Sequence, residues 1–113
     1  MTLYIMSTTV IPSGAWGRWE MDSIDLGQAA QMVWPEGPGY TGWVSAVGHE
    51  STAQVLSDLL GVSIPANRIT VEPVPGDRFL CFRLLRRPAE GAILDRSTLE
   101  SIGFEFALMR YIG

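Results

Sequence analysis

Hydrophobic spacing switches along this chain between the two-residue period of a strand and the 3.6-residue period of a helix. Thr2 to Ile11 is rich in β-branched and apolar residues, which predicts a first strand stopped by Pro12-Ser13-Gly14. Residues 15–24 alternate loosely and predict a short strand or a loop. Asp25 followed by Gln28 has capping-box spacing, so a short helix begins there and ends before Trp34-Pro35. Pro35 to Gly42 holds two prolines and three glycines and reads as a loop. Trp43 to Val47 reads as a short strand. The clearest periodicity follows: Thr52, Val55, Leu56, Leu59 and Leu60 share one face of a helix over 51–60. Ser51 or Glu50 stands at its start, and Gly61 supplies a C-terminal cap.

Ile69 and Val71 alternate with Thr70 and Glu72, and Pro75-Gly76-Asp77 is a turn before an apolar run from Arg78 to Leu85. That pattern predicts two strands paired as a hairpin. Pro88 to Gly91 turns the chain, Asp95 to Ile102 is a short helix ended by Gly103, and Phe104 to Tyr111 is a last strand. Interleaved strands and helices predict an α/β fold: a mixed sheet of four or five strands flanked by two or three helices. The 113 residues suit a single small domain spanning 1–113.

Composition narrows the function classes. The apolar fraction of 47% is that of a globular chain, not a disordered one. No apolar run approaches the ~18 residues of a membrane span. The first residues, Met1-Thr2-Leu3-Tyr4, have no basic stretch before an apolar one, so no secretory signal is expected. Cys81 is the lone cysteine, in the apolar run Phe79-Leu80-Cys81-Phe82. It reads as a core thiol and points to a reducing, cytoplasmic setting. One Cys and one His cannot build a zinc site within the chain.

The net charge is −4, with eight arginines and no lysine against twelve carboxylates. Long nucleic acid is a poor partner for that balance, since binding it means neutralising many phosphates. A small anion needs only a local positive pocket, and residues 78–87 carry Arg78, Arg83, Arg86 and Arg87 with no carboxylate among them.

Two clusters could carry chemistry. The first is Ser45-Ala46-Val47-Gly48-His49-Glu50-Ser51-Thr52, which joins a strand to a helix. Free N–H groups at a helix start bind anions, and Gly48 allows close approach to the backbone. His49 is the chain's one histidine and the natural acid–base group near neutral pH. A turn glycine, an N-cap serine and a histidine on the surface or in the core explain the same residues without function. The second is Arg86-Arg87-Pro88-Ala89-Glu90-Gly91. Two adjacent arginines leaving a strand point to opposite sides, so one of them faces a given pocket. Glu90 could orient His49, or clamp Arg87 in the turn. Asn67-Arg68 fits a turn asparagine beside a surface arginine, or a third polar contact. Walker, dinucleotide-binding, nucleophile-elbow and zinc-protease motifs are absent, and the carboxylates are scattered rather than grouped for a metal pair.

Three blocks together resemble a known family. They are Val44-Ser45-Ala46-Val47-Gly48-His49-Glu50-Ser51-Thr52-Ala53, Leu60-Gly61-Val62-Ser63-Ile64-Pro65-Ala66-Asn67-Arg68-Ile69, and Gly76-Asp77 followed by Phe82 to Gly91. In order and spacing they are similar to the small viral ring nucleases that act as anti-CRISPR proteins against type III systems, a family with cellular and prophage members. The likeness is good over residues 43–110 and fainter over 1–42. It implies a homodimer that binds cyclic tetra-adenylate across its two-fold axis and cuts it without a metal or cofactor. The products implied are linear adenylates with 2′,3′-cyclic phosphate ends. It also implies His49, Arg87 and Glu90 as catalytic residues, with Ser7, Thr8, Gly48, Ser51, Asn67 and Arg83 lining the ligand site. Ser7 stands where the family usually has asparagine, and Pro88 lies two residues before Glu90 where the family's proline directly precedes the glutamate. Two other classes stay open: a protein that sequesters a cyclic nucleotide uncut, and a structural interaction domain presenting its tryptophans.

Overall fold

The computed structural model describes residues 1–8, 14–38 and 40–113. In chain order the elements are β1 (Leu3–Met6), β2 (Trp19–Ile24), α1 (Leu26–Val33), β3 (Val44–Ser45), α2 (Glu50–Leu60), β4 (Arg78–Leu84), α3 (Arg96–Ile102) and β5 (Phe104–Tyr111). The strands form one five-stranded sheet in the order β2-β5-β4-β1-β3. β1 lies parallel to both β3 and β4, while β5 runs antiparallel to β4 and β2. The expected α/β class, mixed sheet and helix count are all present.

Strand alternation divides the apolar residues between two faces. Leu3 and Ile5 of β1, Leu80 and Phe82 of β4 and Phe106 of β5 pack with Ala29, Val33, Leu56, Leu60 and Leu99 of the helices. The alternate positions Tyr4, Phe79, Cys81, Met109 and Tyr111 form a second cluster with Trp19 and Val71. Tyr4 stacks on Phe79 at 5.3 Å, and Trp19 bridges Phe79 and Tyr111. Cys81 is a core thiol in this layer, 1% exposed, and burial pushes its pKa up to about 12. Its Sγ lies 3.5 Å from Met109 Sδ.

Helix ends follow the local chemistry. Asp25 and Gln28 close a reciprocal capping box on α1, and Gly61 ends α2 at φ 75°. Asp95 caps α3 through the Thr98 N–H. α2 starts at Glu50 as expected, and its N-cap is His49, in extended conformation, rather than Ser51.

The hairpin expected between 69–72 and 78–85 is not formed. β4 has β1 on one side and β5 on the other, so neither of its edges is free for residues 69–72. The segment instead runs without strand structure, and Val71 packs into the aromatic layer. β1 and β3 are shorter than their apolar runs, and the end of the predicted first strand, 9–11, lies outside the described residues. No helix among the described residues is long and apolar enough to cross a membrane.

Candidate functional site

The three parallel strands end at one edge of the sheet, and the candidate residues follow those ends. Ser7 comes directly after β1, the Ala46–His49 loop after β3, and Arg87 three residues after β4. β1 lies between the other two. The exits of β3 and β4 are thus two strand spacings apart, about 10 Å. Open α/β sheets bind ligands at this carboxyl edge, where loops from neighbouring strands converge.

His49 is exposed, and its side chain makes no capping bond to the helix it precedes. Its carbonyl accepts the first intrahelical bond, from Ala53 N at 3.0 Å. The N–H groups of Glu50, Ser51 and Thr52 come before that bond, and no side chain of the N-cap covers them. Gly48 has no positive φ, and a Cβ there would meet only Arg68 at ordinary contact, 3.7 Å from Nε. Neither turn geometry nor packing demands a glycine at 48, and its lack of a Cβ leaves the backbone there open to close approach.

The loop carrying Gly48 and His49 is braced by β1 and, from outside the sheet, by residues 65–67. Ala46 N donates to Ile5 O at 2.8 Å, and Asn67 N donates to Val47 O at 2.7 Å. The Asn67 amide donates to Ser45 O at 2.7 Å, and Ser45 Oγ to Pro65 O at 2.6 Å. Asn67 thus lies in a structural brace behind the loop, with its amide turned onto backbone. Arg68, read from sequence as a surface residue, reaches over the loop, with Nη2 3.4 Å from Gly48 O.

The adjacent arginines divide as strand geometry requires. Arg86 donates from Nε to Ile102 O at 3.2 Å and from Nη2 to Ser101 O. It therefore holds the negative end of α3. Arg87 is exposed and takes part in none of the ion pairs among the described residues. Glu90 is also exposed and unpaired with any cation, in a turn closed by Ala92 N to Ala89 O at 3.0 Å. The structure therefore leaves Arg87 and Glu90 unclamped. Arg83 is exposed on the helix-free face near the end of β4, ion-paired through Nε to Glu105. That partner was invisible in sequence, because the two residues are joined only by the β4·β5 register. Ser7 and Thr8 are half-buried at the exit of β1.

An open groove of about 750 Å³ along α2 shares only Ser51 with the candidate residues and is a separate feature. Among the described residues no three of His, Cys, Asp and Glu converge as metal ligands.

The profile of the STIV B116-like family matches residues 3–106. The chain belongs to that family. It is 30% identical over 114 residues to protein ORF117 of Acidianus two-tailed virus, covering 99% of this chain and 95% of that one. It is 31% identical over 110 residues to protein YddF of Bacillus subtilis, covering 96% of each. Protein 26 of a Sulfolobus islandicus filamentous virus is 38% identical over 71 residues, 62% of this chain and 60% of its own. Among solved structures, B116 of Sulfolobus turreted icosahedral virus superposes with a TM-score of 0.75 over 97% of this chain and 99% of its own, at 17% identity. That likeness shows a shared fold. Membership of a family with viral and bacterial relatives agrees with the kind of protein that the three sequence blocks resemble.

Proposed function

We propose that this protein is a metal-independent ring nuclease that opens cyclic tetra-adenylate and so counters type III CRISPR signalling. The observation that carries the reading is the exposed His49 at the uncapped start of α2, on the same sheet edge from which Arg87 leaves β4. The resemblance of the three sequence blocks points to the substrate, and the exposed histidine at an uncapped helix start supports the chemistry.

RNA carries its own nucleophile. A 2′-oxygen held in line with the adjacent phosphorus attacks it, and positioning provides much of the acceleration. The 2′-hydroxyl proton passes to solvent, the bond from phosphorus to the 5′-oxygen breaks, and protonated His49 donates its proton to that oxygen. Arg87 and the free N–H groups at residues 50–52 stabilise the charge on the non-bridging oxygens. Glu90, on the loop that follows Arg87, is assigned to orient the His49 ring. The products are linear adenylates ending in a 2′,3′-cyclic phosphate. Ser7, Thr8, Gly48, Ser51 and Arg83 line the ligand, with Asn67 supporting the loop. A homodimer suits a symmetric ring, because each subunit offers the same histidine to an equivalent linkage. The reaction belongs in the cytoplasm, where a nucleotide messenger is met.

The test is incubation of purified protein with cyclic tetra-adenylate in chelator, with products identified by mass spectrometry. His49→Ala is expected to lower the cutting rate by about 10²–10⁴-fold, the usual contribution of a general acid, with ring binding kept. An uncut ring with wild-type protein refutes the enzymatic reading. Ser7, in place of the family's asparagine, favours one alternative, binding without cutting. Intact ring recovered from a near-stoichiometric complex after long incubation would establish that alternative.

A further inference from the structure

Arg83 and Glu105 face each other directly across the β4·β5 ladder, one step before it ends at Leu84 and Phe104. Both side chains are about half exposed, at 53% and 44%. The contact is side-on: Glu105 Oε1 accepts from Arg83 Nε. A carboxylate meeting a guanidinium end-on occupies the terminal nitrogens and spends the fork that matches phosphate oxygens. Arg110 meets Glu20 in that way, through Nη2, at the opposite end of the sheet. Arg86 spends both Nε and Nη2 on the carbonyls of α3. Among the arginines of β4 and the loop after it, Arg83 alone is held at its root by a carboxylate with its terminal nitrogens unused.

We infer that Glu105 is a positioning residue for Arg83, fixing the guanidinium through Nε so that both terminal nitrogens stay open to an anionic group of the ring. This rests on the reading above, in which Arg83 lines the ligand site. Glu105 touches no reacting atom. Its carboxylate removes the rotamer freedom that a long exposed arginine would otherwise lose on binding. The opposing effect is electrostatic, since a carboxylate beside the site repels a polyanionic ring. The two effects predict opposite results for two substitutions.

The experiment measures cyclic tetra-adenylate binding and turnover by wild type, Glu105→Ala and Glu105→Gln. Positioning predicts that Ala raises Kd and KM about fivefold, equivalent to about 1 kcal/mol, with kcat unchanged. Gln, whose Oε1 still accepts from Nε, stays within twofold of wild type. Tighter binding by both variants, or no change in Ala, overturns the inference. A readout without ligand separates this outcome from failure of the function itself. In the free protein the Arg83 Nε–H is expected to give an ordered side-chain resonance in wild type and Gln, averaged in Ala. An averaged resonance in wild type overturns the positioning role whether or not the ring is cut. A wild type that never binds the ring sinks the functional reading and the role for the ring together, even where the resonance is ordered.

Discussion

Asn67→Ala separates a brace from a ligand contact. β3 is two residues long, so its own ladder offers little to hold the loop that follows. The 65–67 segment acts as a substitute neighbour. It takes Ser45 Oγ at Pro65 O, gives the Asn67 amide to Ser45 O at 2.7 Å, and gives Asn67 N to Val47 O at 2.7 Å. Alanine keeps the backbone bond and removes the amide donor, leaving the Ser45 carbonyl without it. Ser45 is 3% exposed, so water does not readily replace the lost partner. An unmade bond of this kind costs about 1–3 kcal/mol, and the half-buried Asn67 places this case in the lower part, about 1–2 kcal/mol. For a chain of this size each kcal/mol moves the melting temperature by about 4 °C. Asn67→Ala should therefore melt roughly 4–8 °C below wild type, read by calorimetry, with the ring dissociation constant within about twofold. A melting temperature within about 1 °C of wild type, together with a tenfold loss of affinity, would refute the brace and make Asn67 a direct ligand contact.

Two further outcomes follow from single groups. Cys81, buried in the aromatic layer with its thiol pushed up to about 12, should resist a disulfide reagent at neutral pH until the protein is unfolded in denaturant; stoichiometric labelling of the native protein within minutes would contradict this. Asp95 accepts from Thr98 N, and that bond holds its carboxyl below the ordinary range, so its stabilisation of α3 is present above the unfolded-chain value near 3.9 and fades as pH falls through the lower folded value. The melting difference between wild type and Asp95→Ala should accordingly be constant at neutral pH and close below about pH 4; a gap that persists to pH 2 would show that the cap is not acting through its charge.

Much of the fold was legible because local signals and tertiary structure agree in the helices. Asp25 and Gln28 announced the capping box of α1, the 52–60 stripe announced α2, and Gly61 and Gly103 stand where α2 and α3 stop. The hairpin failed for a reason that local pattern cannot contain. Thr70 and Glu72 alternate with apolar neighbours as a strand would, but the place beside β4 goes to β1, which comes from 75 residues earlier as the Leu3↔Arg78 register pair. Pairing partners are chosen by the whole sheet, so alternation does not report pairing, and here Ile69 stays 42% exposed while Val71 alone is buried. Val71 packs against Phe79, Cys81 and Met109 of the sheet without joining it.

The candidate residues stand out for a different reason. Gly48, His49 and Arg87 are marked by residue type, and the topology sets the segments that carry them after parallel strands ending at one edge of the sheet. What sequence could not supply is which polar neighbour each residue uses. Arg86 and Arg87 are identical in type and adjacent, yet one is consumed by the carbonyls at the end of α3 and the other is left free. Alternation predicts that they point apart but not which points where. Placement of α3 against the exit of β4 decides it, since a helix C-terminus attracts the nearer cation. The free arginine is thereby the one on the same loop as Glu90. The clamp on Arg86 does two things at once: it anchors α3 and leaves the positive charge of Arg87 at the sheet edge uncompensated. In the proposed reaction an anion at the start of α2 draws on that charge and on the N–H groups of residues 50–52, with no ion pair of Arg87 and no side-chain cap of α2 to break first.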